Sequence, residues 1–192
     1  MYKVIIFDFF GVIRSDQYIS WLKRHGHTRT GDYAEVSLKT DAGQLTMEQF
    51  YDGLHDLSGI PTPAIESEFK TYANLDSDLI ELIKRLKPHY KIGLLSNSNG
   101  PHLRDILNHN GLTPLFDEII ISGEVGFVKP SREIFDYTLG QTQSKPQETV
   151  FIDDNQANIA AANKLGIVAL LYRDYHTLIS ELEKLNLSGL NT

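Results

Sequence analysis

The sequence predicts an α/β fold: a doubly wound, parallel five-stranded sheet of Rossmann-like order 3-2-1-4-5, carrying an inserted small helical cap. Three observations carry this expectation. Five short runs rich in Val, Ile and Leu lack polar alternation, as strands covered on both faces do. Helical patterns separate successive runs, which calls for right-handed crossovers and a parallel sheet. The stretch between the first two runs is polar, aromatic and too long for a simple connection.

The first strand covers about Lys3–Phe7. Residues 15–74 then show apolar or aromatic positions at helical spacing, first Tyr18, Ile19 and Leu22, later Met47, Phe50, Tyr51 and Leu54. Thr46 stands where a side chain would cap the second of these helices. This stretch is read as the cap, and residues 1–14 and 75–192 as the core. Ser77–Leu86 shows apolar Leu79, Ile80, Leu82, Ile83 and Leu86 in a helical pattern, with Pro88 just beyond. A strand at Lys91–Leu95 follows. Pro101–His109 begins with proline and stops before Gly111, a start-and-stop pair that favours helix. Glu118–Ile121, Thr149–Ile152 and Val168–Leu171 are the remaining strands, and Ser131–Leu139, Gln156–Leu165 and Tyr175–Leu185 the remaining helices.

Composition narrows the function. With 192 residues the chain forms one sizeable domain, or a domain with a smaller insertion. A formal net charge of −7 argues against a nonspecific nucleic-acid binder while leaving room for a local anion pocket. No apolar run approaches the ~18 residues of a membrane span, and Met1-Tyr2-Lys3 enters a strand-like run without signal-peptide features. The absence of cysteine excludes disulfides, thiolate catalysis and cysteine-rich zinc sites. The expectation is a soluble cytoplasmic protein with neither nucleic-acid nor membrane partner, its oligomeric state left open.

Polar residues punctuate the strand ends. Asp8 ends Val4-Ile5-Ile6-Phe7, Ser96 ends Ile92-Gly93-Leu94-Leu95, Lys129 precedes Pro130, and Asp153-Asp154 end Thr149-Val150-Phe151-Ile152. Open parallel sheets present their chemistry at these carboxyl ends. A carboxylate nucleophile, a hydroxyl and an ammonium for phosphate, and a carboxylate pair for a metal form a phosphoryl-transfer set. Each residue also has a plain alternative. Asp8 could cap a turn, Asp154 could cap the helix it opens, Lys129 could be a solvated charge, and Asn97, Ser98 and Asn99 are ordinary turn residues.

Taken in order from Val4 to about Leu171, these motifs resemble the haloacid dehalogenase superfamily, mostly phosphatases, and within it the subgroup with a small helical cap in the first crossover. The resemblance implies that Asp8 attacks phosphorus and carries the phosphoryl group. It implies a Mg2+ held by Asp8, Asp154 and the backbone carbonyl of Phe10, with Asp153 in the outer sphere. Ser96 and the backbone of Asn97 would bind phosphoryl oxygens, and Lys129 would balance charge on nucleophile and phosphate. Gly11 lets the chain turn after the nucleophile. Asn158 lies where the family often has an acid and is assigned an outer-shell or structural role. One position departs. Phe10 replaces the aspartate that protonates the leaving group and activates water, a contribution of typically ~10²–10⁴ in rate. A slow or substrate-assisted phosphatase, another proton donor, and a protein that no longer hydrolyses all accommodate this change. The dehalogenase branch also lacks that acid, but it does without Mg2+ and the acid pair, so dehalogenation is disfavoured.

Two features of the cap stretch remain. His25-Gly26-His27 has no adjoining third metal ligand. Lys23–Arg29 is the one strongly basic run, with a solvated face favoured over contact with an anionic substrate. Most of the nine Tyr and nine Phe are expected between cap and core. The overall expectation is a Mg2+-dependent hydrolase of a small phosphorylated metabolite. Its rival is a noncatalytic relative that binds a phosphometabolite or a protein.

Overall fold

A computed structural model describes residues 1–70 and 72–190. The expected domain ranges 15–74 and 75–192 therefore include three residues outside the described set. The chain runs through β1 (Val4–Phe7), four helices α1 (Gln17–Arg24), α2 (Gly31–Asp41), α3 (Met47–Ser58) and α4 (Thr62–Phe69), then α5 (Ser77–Leu86) and β2 (Lys91–Ser96). It continues with α6 (Gly100–His109), β3 (Glu118–Ile121), α7 (Ser122–Val125), α8 (Arg132–Thr142), β4 (Thr149–Asp153), α9 (Gln156–Lys164), β5 (Val168–Leu171) and α10 (Tyr175–Lys184). The strands form one parallel sheet in the order β3-β2-β1-β4-β5, as the sequence predicts.

β1 is central, and its alternating side chains divide the core between the two faces. Ile5 and Phe7 pack with Leu79, Leu103 and Leu178 from α5, α6 and α10. Val4 and Ile6 pack with Ile134, Phe135 and Ile159 from α8 and α9. Burying each such side chain contributes ~1.5–3 kcal/mol, so the strand that bears Asp8 is among the most firmly held elements. The expected helix at Ser131–Leu139 starts one residue later and runs to Thr142. Ser131 occupies the N-cap position.

The first four of the five helices between β1 and β2, α1–α4, have an interior of their own. Tyr18, Trp21, Leu22, Phe50, Tyr51, Leu54, Ile65 and Phe69 form a separate apolar cluster. The aromatic residues of this stretch thus pack chiefly against one another rather than between the helices and the sheet. Aromatic rings supply large buried area per residue, which suits so short a segment. Thr46 caps α3 through a reciprocal box: its Oγ1 accepts from Gln49 N at 3.2 Å, and its own N–H donates to Gln49 Oε1 at 2.9 Å.

The end of α2 and the loop after it meet the loops at the sheet's carboxyl end, whose side chains donate to their backbone carbonyls. Asn99 Nδ2 donates to Leu45 O at 3.2 Å, and Ser122 Oγ donates to Asp41 O. Gly43, at φ +73°, comes so close to the core that a Cβ would lie 2.3 Å from Gly123 O. Gly43→Ala therefore combines a left-handed conformation with a backbone clash, and is expected to cost at least ~1–2 kcal/mol. Urea denaturation, with amide exchange over residues 41–46, checks this; unchanged stability and exchange would refute the contact.

Candidate active site

Asp8 extends β1 by one residue, its N–H donating to Ile152 O at 2.9 Å. The chain then folds back: Ile13 N and Arg14 N both donate to Phe9 O at 2.9 Å, and Gly11 N donates to Arg14 O at 2.7 Å. Gly11 sits at φ +86°, and a Cβ there would fall 2.1 Å from Asp154 Oδ2. The space that a side chain at position 11 would fill is the space the Asp154 carboxylate occupies. Asp154 is not the cap of α9, because Asn155 takes that role by accepting from Ala157 N at 2.8 Å.

Lys129 is the centre of the cluster. Its buried ammonium donates to Leu95 O at 2.9 Å and Asp153 Oδ2 at 2.7 Å, and lies 2.9 Å from Asp8 Oδ1. Two of its N–H groups are thus hydrogen-bonded, and the Asp8 carboxylate is held as an ion pair. The backbone of Lys129 is gripped by the Asn97 side chain, which donates to Lys129 O at 2.9 Å and accepts from Lys129 N at 2.8 Å. The Asn97 amide thus aims the lysine. Asp153 is fully buried. Its Oδ1 accepts from Asn155 N at 2.8 Å, and Asn158 Nδ2 spans both of its oxygens at 3.0 Å. Asn158 orients Asp153, consistent with the structural role expected of it.

Burial, reinforced by Asp153 and Asp154, pushes the Asp8 carboxyl well above its ordinary range despite the pull of Lys129. Burial and then Asp153 raise Asp154 to about 6. Burial works against the Lys129 charge, but Asp8 and Asp153 outweigh it and hold the ammonium above its usual range. Three carboxylates face one ammonium. Asp8, Asp153 and Asp154 each offer an oxygen within 4.8 Å of the others, the one such group among the described residues. An all-oxygen, anion-rich donor set matches a hard divalent cation such as Mg2+, so these residues fit that ion. Ser96 adds a second sign of an absent partner. It is fully buried, and its hydroxyl has no hydrogen-bond partner among the described residues. Such an orphan costs ~1–3 kcal/mol until something accepts or donates to it.

A cavity of about 490 Å³ opens from Asp8 and Lys129 toward α1–α4, and Asn97, Ser98 and Asn99 line it. Several of its residues were not foreseen from sequence. Arg14 is buried, with Nε donating to Ala73 O at 3.1 Å and Nη2 to Gln17 Oε1 at 2.8 Å. Its guanidinium lies 5.8 Å from the centre of the Phe10 ring. His102 stacks on the Phe10 ring with centroids 6.4 Å apart, and burial followed by Arg14 lowers its pKa to about 4. The sequence signal for Arg14 was a cation directly after the apolar pair Val12-Ile13, close to Asp8. For His102 it was the first turn of the helix after Ser96–Asn99.

The basic run is dispersed. Arg24 pairs with Glu68, His25 Nε2 lies 3.0 Å from Glu68 Oε1, and His27 stacks on Tyr33. Of its charged members, Arg29 lines the cavity.

The haloacid dehalogenase-like hydrolase family matches residues 2–166, and the chain belongs to that family of hydrolases. It is 28% identical over 186 residues to a D-ribitol-5-phosphate phosphatase of Bacteroides thetaiotaomicron, covering 86% of this chain and 89% of the relative. It is 27% identical over 193 residues to a sesquiterpene phosphatase of Aspergillus oryzae, with 96% of each covered. A crystal structure of a Bacteroides thetaiotaomicron family enzyme in complex with magnesium and inorganic phosphate shares the fold. Its TM-score is 0.75 at 23% identity, over 93% of this chain and 99% of that one. These likenesses support a phosphatase. No described helix is long and apolar enough to cross a membrane.

Removing Lys129 strands two buried carboxylates. Lys129→Ala should lower stability by ~3–5 kcal/mol at pH 7 without divalent cations. A loss under ~1 kcal/mol by urea denaturation would show that the cluster is not the buried ion network described.

Proposed function

We propose that this protein is a Mg2+-dependent phosphatase of small phosphorylated metabolites that works through an aspartyl-phosphate on Asp8. The observation that carries this reading is the Asp8–Lys129–Asp153 cluster with Asp154 beside it, at the carboxyl end of the sheet. Asp8 Oδ1 is held by Lys129 and by Phe9 N–H at 2.7 Å, which fixes the carboxylate for attack on phosphorus. The ester P–O bond breaks as the Asp8–phosphorus bond forms, and the leaving oxygen takes up a proton. Water then attacks the aspartyl-phosphate, releasing inorganic phosphate and restoring Asp8.

Asp8, Asp154 and the Phe10 carbonyl would hold Mg2+, with Asp153 behind them. Bound there, the ion offsets the charge of the carboxylates and the phosphoryl oxygens. Ser96 and the Asn97 backbone would receive the phosphoryl group. Lys129 contributes by charge and by aligning Asp8. Residues 15–74 are taken as a cap over the core of 1–14 and 75–192, supported by their separate apolar interior. The phosphatase relatives support the reaction, and the magnesium complex of the structural neighbour supports the metal. The relatives' substrates differ widely, a polyol phosphate for one and a sesquiterpene for the other, so likeness alone leaves the leaving group open.

Replacing Asp154 with Ala should abolish Mg2+ binding in calorimetric titration while the fold persists, and Asp8→Asn should bring phosphate release to background. Undiminished Mg2+ affinity in the first variant, or near wild-type turnover in the second, would overturn the assignment.

Phe10 favours the second reading, a noncatalytic binding protein. Its ring meets Phe9 edge-on at 5.0 Å and packs with His102 and Arg14, so the position is an aromatic contact and offers no carboxyl group. Arg14 nevertheless supplies a cation beside that position, which would offset the charge of an introduced carboxylate. Phe10→Asp is therefore expected to remain folded and to raise turnover of alkyl phosphates by ~10-fold or more, short of the full contribution of an evolved acid. A stable, Mg2+-binding variant with no gain on any ester would favour the noncatalytic reading.

A further inference from the structure

The cavity is lined by two groups of different chemistry. The core contributes Asp8, Lys129 and Asp154, and the cap contributes Arg29, Ser37, Thr40 and Asp41. The cap residues form a built polar wall. Arg29 Nη2 donates to Ser37 Oγ at 2.6 Å and to Asp41 Oδ2 at 2.9 Å, and Ser37 and Thr40 are themselves buried. Thr40 Oγ1 donates to Val36 O at 2.8 Å, which leaves its oxygen able to accept. The wall is also fixed in space. Ser122 at the start of α7 donates to Asp41 O, and Asn99 donates to Leu45 O at 3.2 Å, so the end of α2 is pinned to the loops that carry the nucleophile's neighbours.

We propose that the ester cleaved at this site has a neutral, hydroxyl-rich leaving group, a polyol or sugar, recognised by the Arg29–Asp41 pair of the cap. This rests on the phosphatase reading and names its substrate class. A hydroxyl both donates and accepts, and the pair offers one strong donor beside one strong acceptor, so adjacent hydroxyls can satisfy both at once. The opposite charges of Arg29 and Asp41 offset each other, as do those of Arg14 and Asp16, which line the same cavity, so the wall favours neither a cationic nor an anionic leaving group. A hydrocarbon leaving group would instead cover Arg29, Asp41 and Ser37 without replacing the water it strips from them. Sites built to bond a substrate hydroxyl reject analogues lacking it strongly, by up to ~10⁴–10⁵. Phe10, Met47, Phe50 and Phe69 line the cavity as well and give the carbon skeleton an apolar side to rest on.

The test compares the full-length protein with Mg2+ on a pentitol phosphate, pentyl phosphate, a prenyl phosphate and nitrophenyl phosphate. The expected kcat/KM for pentitol phosphate exceeds that for pentyl phosphate by ~100-fold or more, as two hydrogen bonds to charged groups would give. Asp41→Asn and Arg29→Met, each checked for folding by melting temperature, should each shrink this ratio ~10-fold or more. Arg24→Met, which alters a cation outside the cavity, should preserve it. Pentitol-phosphate affinity of the Asp8→Asn protein, measured by calorimetry against pentyl phosphate, should show the same preference. Turnover of nitrophenyl phosphate with pentyl or prenyl phosphate equal to or better than pentitol phosphate would overturn the leaving-group assignment and leave the phosphatase reading standing. Absence of turnover on every ester, nitrophenyl phosphate included, would overturn the phosphatase reading and this proposal with it.

Discussion

The structure at the carboxyl end of the sheet is organised by one buried ammonium. Lys129 Nζ ties the end of β1, through Asp8, to the end of β4, through Asp153, and to β2 through the Leu95 carbonyl. An ammonium removed from water carries a penalty of several kcal/mol unless its partners are well placed. The surrounding residues meet that condition in layers: Asn97 holds the lysine backbone, and Asn158 and the Asn155 N–H hold Asp153. The rigidity of the site therefore derives from satisfying a buried charge. The two hydrophobic faces of the sheet supply the frame that makes such satisfaction possible.

That arrangement leaves the cluster one step short of electrical balance. A single cation serves three carboxylates, and burial drives Asp8 and Asp154 toward their protonated forms. Such a donor set fits a cation, and the buried hydroxyl of Ser96, without a partner among the described residues, suits a polar group.

Much of this was legible in the sequence because it is encoded locally. Strands buried on both faces read as unbroken apolar runs, and a polar residue ending such a run marks the sheet's carboxyl edge; Asp8, Ser96, Asp153 and Asp154 were singled out that way, and the structure puts them at that edge. Arg14, His102 and Asp41 were not. Their importance comes from contacts between segments far apart in the chain, such as Arg14 with Ala73, and a polar residue on a helix carries no local mark of the cavity it will face. The basic run shows the converse. Charge density drew notice to Arg24, but its partner Glu68 lies 44 residues away and keeps it outside the cavity. The role of Asn97 as a clamp on the Lys129 backbone was equally invisible, since it depends on two loops meeting 32 residues apart.

Ser122 joins two parts of the molecule through a single oxygen. Its Oγ accepts the Ser98 N–H at 2.9 Å from the loop after β2 and gives its proton to the Asp41 carbonyl at the end of α2. A hydrogen bond accepted and a hydrogen bond donated by the same hydroxyl reinforce each other, because each polarises the O–H group in the sense the other needs. The loop after β2 and the end of α2 are thereby thermodynamically linked. By reciprocity, whatever free energy a ligand on the loop would lend to the α2 contact, that contact would return as affinity for the ligand.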